Sequence, residues 1–147
     1  MKKILFLSAA CLVVSMNLAF AGETASVAGT TQYIVNLKDG DVVSSPVTVI
    51  FGLSGMGIAP AGTDKENTGH HHLFLDREPL GEGEDGKDEL DANIISDENN
   101  IHYGKGQTET SLDLKSGTHT LQLVLGDKDH IPHNPPVSSK VIKITVK

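Results

Sequence analysis

The chain has 147 residues, with 12 Lys and Arg against 19 Asp and Glu, seven histidines and a single cysteine, Cys11. A net charge of −7 with one arginine, Arg77, argues against nucleic acid or anionic lipid as partner. Met1, Lys2 and Lys3 precede an apolar run from Ile4 to Phe20 that ends in Ala19-Phe20-Ala21, the form of a secretory signal peptide cut after Ala21.

Such a cut predicts a periplasmic or secreted domain with no membrane insertion after cleavage. It divides the chain into a signal peptide (1–21), a short N-terminal extension (22–30) and one domain (31–147). Without Lys2 and Lys3 the basic residues fall from 12 to 10 against 19 acidic, a net of about −9. Without Cys11 there is no disulfide, no thiolate ligand and no cysteine nucleophile.

Strand signals dominate the remainder, and no helical period appears. The segment 31–37, "TQYIVNL", is β-rich and runs into the turn "KDGD". In 46–53, Val47, Val49, Phe51 and Leu53 alternate with Thr48 and Gly52. The long polar segment 54–69 leads to "HLFLD" (72–76), where His71, Leu73 and Leu75 share one face and His70, His72 and Phe74 the other. An acidic run at 81–91 reads as a solvated loop, because Gly81 stands where a calcium loop of the EF-hand kind needs aspartate. Short strands are expected at 91–95 and 110–114, the latter after the glycine-rich loop "GKGQTE". Two more are expected at 118–126, with His119 on the face of Leu121, Leu123 and Leu125, and at 140–146. The pattern predicts an all-β protein: an immunoglobulin-like antiparallel β-sandwich of about seven strands.

Five of the seven histidines fall in "GHHHLF" and "DKDHIPHN". In that topology the third and sixth strands are antiparallel neighbours. The start of one and the end of the other therefore share a pole, and residues some sixty apart meet. His119 falls at the opposite pole. Alternation places His70 and His72 on one face of a strand, spaced for a single ion, with His130 and His133 supplied by the facing loop. The expected ligands are His70, His72, His130 and His133, with His71 and His102 in reserve, and Asp127 or Asp129 as acceptor for a ligand imidazole. Imidazoles without thiolate suit copper or zinc better than calcium or magnesium. The leading expectation is therefore a non-enzymatic periplasmic metal-binding domain with no organic cofactor. Its alternatives are a metal-free module docking an envelope protein or a glycan, and a metal-dependent hydrolase using Asp127, Asp129 or Glu66 as base.

The stretches "GMGIAPAGTDKENTGHHHLFLD" and "IHYGKGQTETSLDLKSGTHTLQLVLGDKDHIPHNPPVSS" resemble the bacterial exported family known as domain of unknown function 4399. The resemblance runs from about Val43 to Val146. It implies that Gly55, Met56, Gly57, His70, His71, His72, His102, Gly106, Gln107, His119, His130, His133 and Pro135 occupy the recurrent positions. Tyr103 and Lys105 stand where the family pattern commonly has a histidine or phenylalanine and a glycine. No activity is implied by the resemblance.

Overall fold

The computed structural model describes residues 24–84 and 86–147, and the expected signal peptide lies outside them. The strands are β1 (Thr31–Ile34), β2 (Val42–Val43), β3 (Val47–Ser54), β4 (Gly57–Ile58), β5 (Thr68–Leu75), β6 (Asn100–Tyr103), β7 (Glu109–Leu112), β8 (Gly117–Gly126) and β9 (Ile142–Val146). A 3-10 turn at Asp88–Leu90 is the one helical element among the described residues. No helix there is long and apolar enough to cross a membrane.

The strands form two sheets, one of order β1-β3-β7 and one of order β2-β9-β8-β5-β4, with β6 also paired to β5. The alternating residues of β3 explain the packing between them. Val47, Val49 and Phe51 point inward and meet Leu73 of β5, Leu121 and Leu123 of β8, and Ile144 and Val146 of β9. Each such side chain withdrawn from water stabilises the fold by about 1.5–3 kcal/mol. The all-β, sandwich-like architecture expected from the sequence is present, and the expected third and sixth strands, β5 and β8, run antiparallel, with His70 opposite Gly126 and Leu75 opposite Leu121.

Three details differ from the sequence expectation. Two very short pairings are parallel, β2 with β9 and β4 with β5, so the larger sheet is mixed. Residues 91–95 do not form a strand. Instead "NIHY" does, as β6 along β5, with His72 directly opposite His102. Cross-strand contact with β5 favours Ile101 and Tyr103, whose apolar bodies pack toward the core.

Strand β8 is buried on both faces. Leu121 and Leu123 face the core, while Val124 joins Phe74 and Ile94 in a second apolar cluster on the outer side of the larger sheet. That outer side also carries His70 and His72. His119 lies at the other end of β8, where its Nδ1 meets Asp76 Oδ2 at 2.7 Å and its Nε2 faces the Lys115 carbonyl at 2.9 Å. The Lys115 carbonyl first, then Asp76, raises its pKa above the ordinary histidine value.

Candidate metal centre

Alternation along β5 decides which histidines meet. His71 faces the core, where Phe51 packs edge-on against its ring at 5.1 Å between centroids. Its Nδ1 accepts a hydrogen bond from Gln32 Nε2 at 2.7 Å. His70 and His72 face the opposite way. The β5–β6 register sets His102 beside His72, and the connection after β8 brings His130 across both.

The four rings form one cluster. Centroids lie 4.8 Å apart for His70 and His72, 5.0 Å for His70 and His102, and 4.9 Å for His70 and His130. The remaining pairs are 5.1 Å for His72 and His102, 5.8 Å for His72 and His130, and 4.7 Å for His102 and His130. His70, His102 and His130 each offer a ring nitrogen, and these three atoms lie within 4.8 Å of one another, within reach of one metal ion.

Burial grades across the cluster. His70 and His72 are 1% and 0% exposed, while His102 and His130 are only partly buried and form its rim. The Nε2 atoms of His70 and His72 are 3.0 Å apart, so one ring donates and the other accepts. The same separation suits two ligands of one ion, since nitrogens at about 2.0–2.1 Å from a metal sit roughly 2.9–3.4 Å from each other. His72 Nδ1 and His102 Nε2 are buried with no hydrogen-bond partner among the described residues. Buried polar atoms without partners are rare, and each calls for an explanation.

The electrostatics favour neutral rings. Burial, then the proximity of His130 and His102, lowers the pKa of His70 to about 4. Burial, then His70, His102 and His130, lowers that of His72 to about 2. Burial, followed by His130, also lowers that of His102. Neutral imidazole is the ligand form, so protons compete weakly for such a site at neutral pH.

The other expected site residues lie apart from the four rings. His133 is wholly buried beneath the loop, with Nδ1 3.3 Å from the Leu125 carbonyl and Nε2 3.3 Å from that of Thr68. Asp129 is exposed and pairs with Lys128. Asp127 is buried, but its carboxylate takes the amides of Asp129 and Ile131 and the Thr24 hydroxyl, not an imidazole. Glu66 is exposed on the loop before β5. In the acidic run, Glu89 pairs with Arg77 and also accepts the Gly81 amide.

Two glycines make room for the rings. A Cβ on Gly126 would lie 2.8 Å from His72 Nε2 and 3.4 Å from the His130 Cα. One on Gly104 would fall 2.2 Å from His102 Cε1. Gly126→Ala is expected to cost about 1–3 kcal/mol as an overpacked site, because the His72 ring has no solvent side into which to retreat. Urea denaturation of this variant beside Gly57→Ala, whose added carbon meets the Thr68 methyl at 3.4 Å and the Asn67 carbonyl at 3.9 Å, measures the difference. Equal midpoints would refute the close packing of Gly126 on His72.

Fold and site together define an all-β, sandwich-like domain with a histidine cluster on the outer face of its larger sheet. The sequence profile described as "Domain of unknown function (DUF4399)" matches residues 49–147, and the chain belongs to that family. The matched region includes all seven histidines. Comparison with curated proteins and with solved structures finds no match.

Proposed function

We propose that this protein is an exported transition-metal-binding domain that holds one copper or zinc ion through His70, His72, His102 and His130. The observation that carries the reading is the convergence of four imidazoles from three chain segments, with His102 Nε2 buried among them and without a hydrogen-bond partner among the described residues. An all-nitrogen donor set without thiolate or carboxylate suits Cu(II) or Zn(II) over the hard, oxygen-seeking ions. Export rests on the signal-like residues 1–21. Binding is favoured over turnover because Asp127, the buried carboxylate beside this loop, uses its oxygens on amides and a hydroxyl and offers no free base to the cluster.

The test is calorimetric titration of tag-free protein with Cu(II) and with Zn(II). One ion per chain at a dissociation constant below about a micromolar, equivalent to about 8 kcal/mol, is the expected result. Weak uptake of several ions, unchanged in a His70→Ala variant, would overturn the reading and leave a metal-free docking loop as the better account.

A further inference from the structure

We propose that Thr24 and Asp127 act as a latch that positions His130 over the cluster, making the N-terminal segment part of the metal centre; the proposal rests on the metal-binding reading above. His130 sits at the tip of a tight loop. The Asp127 carbonyl accepts the His130 amide at 3.0 Å, and the Asp127 amide donates to the Ile131 carbonyl at 2.8 Å. Asp127 Oδ1 accepts the amides of Asp129 and Ile131, each at 2.9 Å, so one carboxylate holds the backbone on both sides of His130.

His130 itself has a φ of 69°, a left-handed conformation that a residue with a side chain adopts at a cost of about 1–2 kcal/mol. Such a conformation persists where its surroundings over-determine it. Here the Asp127 bonds act from one side and the Ile94 amide, donating to the His130 carbonyl at 2.9 Å, acts from the other. A left-handed backbone at this point gives the imidazole the direction that brings it onto His70 and His102.

The remaining oxygen of the hub, Asp127 Oδ2, accepts the Thr24 hydroxyl at 2.6 Å. Thr24 is not a lone contact. Its carbonyl accepts the Asn134 amide at 2.9 Å, the Ser26 amide donates to the Asn134 carbonyl at 2.9 Å, and the Ser26 hydroxyl donates to the Pro135 carbonyl at 2.8 Å. Residues more than a hundred positions apart are thus tied into one unit whose output is the placement of one ring.

Asp127 also places a negative charge close enough to His70 to act on it electrostatically.

Cu(II) affinity by competition, together with Cu(II) electron paramagnetic resonance spectra, tests the latch in the full protein. Thr24→Val, nearly the same shape without the hydroxyl, is expected to weaken Cu(II) binding about tenfold, as loss of an outer-shell partner does, and to alter the copper hyperfine splitting. Thr24→Ser is expected to restore both. In a His130→Ala background, Thr24→Val is expected to change affinity by less than about twofold, because the residue through which it acts is gone. Wild-type affinity and spectrum in Thr24→Val, or an equal loss with and without His130, would overturn the latch. A wild-type protein that takes up no Cu(II) would instead overturn the metal reading on which it rests.

Discussion

The metal-free protein is expected to lose most of its stability between pH 6.5 and pH 4, a fall that begins well above the range in which its carboxylates titrate. Three buried imidazoles set this window. His70 and His71 are depressed to about 4 and His72 to about 2, in each case first by burial. In the unfolded chain all three take up protons near the ordinary value of about 6.5. Below that pH the unfolded state binds more protons than the folded one, so stability rises with pH across the window. The contribution is fully present above 6.5 and is lost as the pH falls, down to about 4 for His70 and His71 and on toward about 2 for His72.

Each unit of depression corresponds to about 1.4 kcal/mol, so by pH 4 each ring accounts for about 3 kcal/mol and the three together for something on the order of 10 kcal/mol. That is comparable with the whole stability of an ordinary domain. His119 acts in the opposite sense. Its raised pKa adds stability that is present below 6.5 and is lost as pH rises, so it offsets a part of the acid effect. Urea midpoints at pH 7, 6, 5 and 4.5 in the presence of a chelator read the balance. A flat profile over that range would mean that the histidines are not held neutral by burial.

The sandwich-like frame is legible because β3 and β8 carry strong apolar patterns that burial then follows, from Val47 and Val49 to Leu121 and Leu123. The approach of His70 to His130 is legible for a related reason. Period-two alternation gives the face of His70, and the β5–β8 pairing gives its pole.

His102 is harder to place from sequence, because its position depends on how the chain returns between 76 and 100. That stretch shows no period, and the return strand is four residues long. Only the β5–β6 register, with His72 opposite His102, brings the fourth ring in. His130 and His133 show a second limit. Spaced three apart in a loop, they have no periodicity to separate a ring that reaches the cluster from one packed between two carbonyls. The difference is made by the left-handed backbone at His130 and the carboxylate hub at Asp127, neither of which leaves a mark in a pattern of polar and apolar letters.

Substituting His72 is expected to move stability and metal affinity in opposite directions. His72 is wholly buried, its Nδ1 has no partner among the described residues, and its charged form is the most strongly disfavoured of the cluster. Leucine has a similar volume and removes both the orphaned Nδ1 and the cost of holding a buried ring neutral below pH 6.5, which together outweigh the one bond that His70 Nε2 loses. At pH 5, metal-free His72→Leu is therefore expected to be more stable than wild type by about 1–3 kcal/mol, the ordinary cost of a buried unsatisfied polar group. The same change removes a ligand whose Nε2 lies 3.0 Å from that of His70. Four-ligand zinc sites bind with about 10–16 kcal/mol, so one ligand's share is about 3 kcal/mol, or roughly a hundredfold in affinity. Thermal melts at pH 5 with chelator and with saturating Zn(II) separate the two effects. Wild type should gain several degrees with the ion, since a ligand at a hundred times its dissociation constant adds about 2.7 kcal/mol. The variant should start higher and gain little. A variant that starts lower and still responds fully to Zn(II) would show that His72 is a packing residue outside the coordination sphere, with the ion held by His70, His102 and His130 alone.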